Sequence, residues 1–261
     1  APGLIAGLAG HKRYRGEVTG RAELSGRLVY WERSGGKIRL DEARFMQDDL
    51  TIETGARSDF SMLHGVLRTS RVSVLAPRTR LVVSGRLGAR LVDLDVSGRV
   101  DLALAETLFG WVDHAAGSLV LDASIGGKAE RLTMLGTGRI EGASLQLSTF
   151  ENRLTRFSGD LSFSQSSVIF ERSSGQWAGG QLQLTGSLAL KDVGIDRIRL
   201  AVKLDGVRPR FTLDSADILG TLDGEVSMTG PLSKLAVRGD LDVRRGRITP
   251  KIDWSKMVGS S

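Results

Sequence analysis

The chain has 261 residues, a formal net charge of +6, 33 Gly, 5 Pro and no Cys. Lacking Cys, it has no disulfide, no Cys-ligated zinc and no thiol nucleophile. A hydrophobic content of 41% and a mean hydropathy of −0.06 exclude both a disordered chain and a polytopic membrane protein, and 28 of the 36 cations are Arg interleaved with acids, unlike a basic nucleic-acid-binding tail.

Residues 1–15 read as an arm. Ala1 to Gly10 lack the basic leader and the length of a signal peptide, and no run of 18 apolar residues exists, so targeting information is expected outside this sequence. From there period-two alternation dominates, the mark of strands with one apolar and one solvated face. It begins at Val18, Ala22, Leu24 and Leu28, passes through Ile38 and Leu40 to Phe45, Leu50 and Ile52, and resumes at Val92, Leu94 and Val96 and at Val100, Leu102 and Leu104. Between Asp59 and Asp93 there is no acid, while Arg68, Arg71, Arg78, Arg80, Arg86 and Arg90 all fall there. They read as a solvated outer face or as a patch for anionic head groups or a partner. Leu104 to His114 has helical periodicity and reads as a connector. Alternation returns at Leu119, Leu121, Ala123 and Ile125, then at Leu132, Met134, Ile140, Leu145 and Leu147, and at Leu161 and Phe163. It is cleanest in Leu182, Leu184, Leu188 and Leu190, and in Ile198, Leu200, Val202 and Leu204. Ser215 to Leu222 reads as a second helical connector, followed by Val226, Met228, Leu241 and Val243 on strands.

The pattern repeats. Gly117 to Leu121, Leu132 to Ile140 and Ala143 to Leu145 match Gly224 to Met228, Leu235 to Val243 and Gly246 to Ile248 once a four-residue gap is opened. Ile38, Leu40, Phe45, Leu50 and Ile52 shadow Leu132, Met134, Ile140, Leu145 and Leu147 as an earlier copy. The expected organisation is an arm at 1–15, β units at 16–116 and 117–223, and the start of a third at 224–261, all one continuous elongated domain. In such an array each unit buries its apolar face only through its neighbours. Glycines such as Gly26, Gly98, Gly136, Gly186 and Gly239 then mark turns or places where the sheet curls.

What covers the apolar face decides the function. The whole chain has 8 Phe, 4 Trp, 2 Tyr and a single Asn, Asn152. A closed right-handed β-helix or solenoid commonly stacks Asn at its turns, and a sandwich core fills with aromatics. A single-layer sheet folded along its long axis into an open U, with aliphatic side chains inside, suits this composition better. The closed β-helix, serving as an adhesin or structural spacer without lipid cargo, stands as the alternative.

The run Gly224-Glu-Val-Ser-Met-Thr-Gly230-Pro231-Leu232, continued by Val237-Arg-Gly239-Asp-Leu241-Asp-Val243 and Gly246-Arg-Ile248, resembles the repeating strands of the TamB family. Phe157-Ser-Gly159-Asp-Leu161 followed by Gly179-Gly180-Gln-Leu182-Gln-Leu184-Thr-Gly186-Ser-Leu188 is similar to another stretch of the same family. The resemblance covers residues 16 to 252 and rests on the order of degenerate motifs. It implies a β-taco: an elongated all-β groove of an AsmA-like periplasmic protein, anchored in the inner membrane and reaching the outer membrane of a Gram-negative bacterium. The implied role lies in outer-membrane biogenesis, carrying phospholipid between the membranes and shielding outer-membrane protein strands, with the barrel insertase TamA as partner. The membrane anchor and the insertase-binding segment are not among the residues here, so both membranes and TamA would be met through other parts of the protein.

The aliphatic residues named above from Val18 to Val243, with Phe163, are the candidate lining of a groove for phospholipid acyl chains. Such a lining needs no chemistry of its own, because each acyl CH₂ removed from water gains about 0.8 kcal/mol. No cofactor, metal or nucleic acid is expected. Catalysis finds no support: His11, His64 and His114 form no ligand spacing. Gly136-Thr-Gly138-Arg-Ile-Glu-Gly142 is too long for a dinucleotide loop, and Asp93-Leu-Asp95 lacks the closing Glu of a calcium loop.

Overall fold

The computed structural model describes residues 15–26, 34–47, 50–88, 90–108, 110–128, 131–148, 151–191, 194–212 and 216–250. Sixteen strands form one antiparallel sheet: β1 (Arg15–Ser25), β2 (Gly35–Gln47), β3 (Leu50–Thr54), β4 (Ser58–Leu63), β5 (Val66–Ala76), β6 (Thr79–Leu87), β7 (Val92–Asp101), β8 (Val112–Lys128), β9 (Arg131–Leu147), β10 (Leu154–Gln165), β11 (Ser167–Trp177), β12 (Gly180–Lys191), β13 (Gly194–Val207), β14 (Arg210–Thr212), β15 (Ala216–Pro231) and β16 (Ala236–Pro250). A short helix α1 (Leu104–Leu108) lies against β8, and a 3-10 turn (Leu232–Lys234) joins β15 to β16.

The order is a meander in which each strand pairs with its sequence neighbours. β3 and β4 are two halves of one broken strand, since both pair with β2 and with β5. β14 likewise extends the line of β13 along β15. Among the described residues the sheet does not close: β1 pairs only with β2 and β16 only with β15. Counting the broken strands once, a strand spacing of about 4.8 Å makes the sheet roughly 65 Å across its strands. The chain exposes 17932 Å², where a globule of 28.1 kDa exposes about 11,000 Å². The fold is an elongated all-β sheet rather than a ball.

Because strand direction alternates, turns alternate between two rims. The first rim carries the turns after β1, β4, β6, β8, β10, β12 and β15; the second carries those after β2, β5, β7, β9, β11 and β14. Two-residue turns at His64-Gly65 (φ 49° and 71°) and Ala178-Gly179 (φ 49° and 80°) have φ > 0 at both positions, the geometry that matches strand twist.

Glycine shapes the strands from within. Gly85, Gly98, Gly136, Gly186 and Gly224 lie inside β6, β7, β9, β12 and β15 with φ from 124° to 148°. A Cβ on any of them would stand 2.1–2.2 Å from a carbonyl oxygen of the adjacent strand, so no other residue fits and the strand bends there. A second device is the bulge at left-handed residues Gly142 (φ 57°), Arg156 (φ 51°), Gly206 (φ 62°) and Arg245 (φ 52°), which inserts an extra residue and keeps apolar side chains on one face.

Two expectations are corrected. Ser215 to Leu222 is no helix: Ala216 to Leu222 open β15 and pair with β16, because tertiary pairing overrides a short helical pattern. Of Leu104 to His114, only Leu104–Leu108 is helical, and β8 has begun at Val112. The repeat also takes another form. Leu119↔Ile140, Leu121↔Gly138 and Ile125↔Met134 in β8–β9 correspond to Leu222↔Val243, Gly224↔Leu241 and Met228↔Val237 in β15–β16 without any gap. Ile38 and Ile52 sit on separate strands, β2 and β3, whereas Leu132 to Leu147 share β9.

Candidate functional site

Residues paired across an antiparallel sheet share a face, so the register tells which apolar side chains come together. One row crosses the sheet through Leu81, Gly98, Leu121, Gly138, Leu161, Phe170, Gly186, Leu200, Met228 and Val237. The next runs through Val83, Val96, Ala123, Gly136, Phe163, Val168, Leu188, Ile198 and Gly230. A third links Val100, Leu119, Ile140, Gly159, Ser173, Leu184, Val202 and Val226. Toward the ends, Leu94 meets Ile125 and Met134, Val92 reaches Leu132 through Gly127, Leu182 meets Leu204, and Leu190 meets Ile195. Beyond the bulges Leu145 pairs with Leu154 and Ala115, and Leu147 with Val112. At the N-terminal end Val18, Leu24, Ile38 and Leu40 join through β1, β2 and β4, with Ile38 opposite Phe60. At the other end Leu241 and Val243 lie opposite Gly224 and Leu222. Leu102 lies in the turn before α1, and Leu28 lies outside the described residues.

The register adds residues that the alternation passed over. Val168 and Phe170 flank Ile169, so no alternation is visible there, yet both pair with groove-side partners. Leu81, Val83 and Leu87 were hidden among the Arg run. Their alternation with Arg80, Val82, Ser84 and Arg86 was the signal available. Phe45, Phe60, Phe157, Phe163, Phe170 and Trp177 all fall on this face. The Phe163 ring lies over Gly138, within 3.3 Å of where a Cβ would stand, and the Phe45 ring covers Gly16 at 2.8 Å. Aromatics thus lie against glycines of the next strand.

The face is half-buried along the central strands. Val92, Ala123, Phe157, Leu161 and Leu204 are buried, while Leu94, Leu119, Leu184, Leu200 and Val202 keep partial access to solvent. At the two ends the same face is open: Val18 is 63% exposed and Val243 65%. Among the described residues, close backbone contacts join hydrogen-bonded strands, plus α1 to β8 and the 3-10 turn to β13. The face contains one buried hydroxyl without a partner among the described residues: Ser173 Oγ, seated against Gly159.

The opposite face is polar and laced with cross-strand ion pairs. Arg99 reaches Glu141 at 2.9 Å, Arg139 reaches Asp160 at 2.9 Å and Arg244 reaches Asp223 at 3.3 Å. The hydrogen bond and charge of Asp160 raise the proton affinity of the Arg139 guanidinium, so it stays charged. Exposed pairs of this kind contribute little stability. Two clefts of about 450 and 610 Å³ are lined chiefly from this polar side, one by Arg139, Asp160 and Arg172, the other by Gln183, Lys203 and Arg244. The Arg run divides. Arg86 pairs with Asp93, and Arg78 with the buried Asp101 at 2.6 Å, whereas Arg68, Arg71, Arg80 and Arg90 make no ion pair among the described residues. His114 Nδ1 lies 3.2 Å from Glu106, which also accepts the Ala115 amide and so ties α1 to β8. His64 sits in a tight turn, and His11 lies outside the described residues.

No curated protein and no solved structure matches this chain. Residues 170–253 match the family model of the TamB C-terminal domain. That stretch runs from Phe170 in β11 to the end of β16 and holds the kink glycines Gly186 and Gly224, the bulge at Gly206 and the strands of highest alternation. Over this segment the chain is similar to the TamB family.

Proposed function

We propose that the apolar face is a groove for phospholipid acyl chains, and that the chain serves the translocation and assembly module of outer-membrane biogenesis as part of a periplasm-spanning conduit. The match of residues 170–253 to the TamB C-terminal domain supports involvement in that module. What carries the lipid reading is the register: aliphatic side chains from β1 to β16 fall on a single face, half-buried along the central strands and open at both ends. Contiguous exposed apolar surfaces larger than a few hundred Å² are rare on monomers and mark binding surfaces. A chain of a dozen methylenes gains roughly 10 kcal/mol on leaving water, before the cost of ordering it. Rows of similar Leu, Val and Ile offer sites of nearly equal affinity, a condition for sliding rather than capture. No reacting group is required on such a face. Shielding of outer-membrane protein strands, with TamA as partner, would use the same surface. Among the described residues no helix is long and apolar enough to cross a membrane.

Mass spectrometry of the purified chain is expected to detect co-purifying phospholipid. Leu184→Asp combined with Leu200→Asp should remove it while the far-ultraviolet circular dichroism stays that of a β protein. A lipid-free wild-type chain would sink the reading.

A further inference from the structure

We propose that the first rim is a phosphate-binding edge, which seats the headgroup of an anionic phospholipid, phosphatidylglycerol, while its acyl chains lie on the apolar face; this rests on the acyl-groove reading above. The meander gathers at this rim cations that are far apart in sequence. Arg68, Arg90, Lys128, Arg131, Lys191 and Lys234 all stand within three residues of first-rim turns, all are exposed, and none has an ion pair among the described residues. One pair is set like against like: Lys128 lies directly opposite Arg131. Facing cations are unfavourable unless an anion joins them. Of the described acids near this rim, Asp93 is taken by Arg86 and Glu23 lies opposite Lys37, which leaves Asp196 without an ion pair among the described residues, one acid against these six cations.

The second rim differs in kind. There Arg78 is held by Asp101 at 2.6 Å and Arg44 by Glu53 at 3.4 Å, and the Glu106 carboxylate stands 3.2 Å from His114. Arg80 and Arg153 also stand at this rim without an ion pair among the described residues, but beside the acids Asp113 and Glu151. The larger excess of unpaired cations among the described residues is therefore at the first rim, and the long stems of Lys and Arg allow a charge on the polar side to reach over a turn toward a headgroup. Successive first-rim turns are two strands, about 10 Å, apart, so several of them offer cations to one phosphate after another along the groove.

The test compares binding of two lipids with identical acyl chains, dioleoyl phosphatidylglycerol and dioleoyl phosphatidylcholine, transferred from vesicles of each to the purified chain at low salt. The wild type is expected to favour phosphatidylglycerol, by about five-fold for each cation that reaches the headgroup, with the preference shrinking as salt is raised. Lys128→Glu, Arg131→Glu and Lys191→Glu together should abolish the preference and leave phosphatidylcholine binding and the circular dichroism unchanged. Arg153→Glu with Arg208→Glu, charge reversals of equal kind at the second rim, should leave the preference intact. Equal binding of the two lipids by the wild type would overturn the rim alone. So would a loss of preference in the second-rim variant as large as in the first. Binding of neither lipid would overturn the groove reading and the rim with it.

Discussion

The central strands β7 to β13 and the outermost strands β1 and β16 share one sequence pattern and differ in environment. In the centre, Leu161 and Leu204 are 6% and 7% exposed; at the ends, Val18 and Val243 are exposed by more than half. A central strand has a hydrogen-bonded neighbour on each side, bent toward it at kink glycines, while β1 and β16 have one neighbour only. Burial in this fold therefore comes from lateral packing along the sheet, as in other arrays where each unit depends on those beside it. An unpaired strand edge at either end is also where another strand could add.

Altering a kink should break this contrast most severely. Gly186→Val would force a Cβ to within 2.1 Å of the Arg199 carbonyl at a φ of 130°. A loss of about 4 kcal/mol or more is expected, enough to unfold the central strands in urea titration. Gly142→Ala is its control: Gly142 also has φ > 0, but nothing lies within 4 Å of the added methyl, and the cost should be about 1 kcal/mol. Truncation of the lining comes next. Leu161→Ala should cost about 2–4 kcal/mol, and Val243→Ala less than about 1 kcal/mol, both read as shifts in the urea midpoint. Equal losses would show that the ends are packed as tightly as the centre. The smallest effect is expected at the non-glycine bulges: Arg156→Gly and Arg245→Gly relieve a left-handed Arg at φ 51° and 52° and should each stabilise by about 0.5 kcal/mol, visible as a small rise in Tm.

Much of the fold was legible in the sequence because a strand has a side-chain period of two, so alternation in Gln181 to Leu190 already assigns each residue to a face. It failed where the period was broken or masked. At Val168-Ile169-Phe170 apolar residues occupy both faces, and at Ser215 to Leu222 a short helical spacing disguised the start of β15. The earlier copy inferred from Ile38 to Ile52 falls on two strands because the chain turns back between Gln47 and Leu50, and a list of apolar positions does not record a reversal. The aromatics counted as scarce are concentrated: six of them share the apolar face, several lying over glycines.

By itself the sequence determined that this is an antiparallel, two-faced β protein punctuated by glycine, because periodicity and composition are local properties. Only the tertiary structure decided which glycines bend a strand, since a positive φ and a clash with a neighbour's carbonyl depend on the pairing. It alone decided that bulges at Gly142, Arg156 and Gly206 keep the apolar side chains on one face. The gathering of cations at one rim also belongs to it, because the meander returns every second turn to the same edge and so collects charges that lie far apart along the chain.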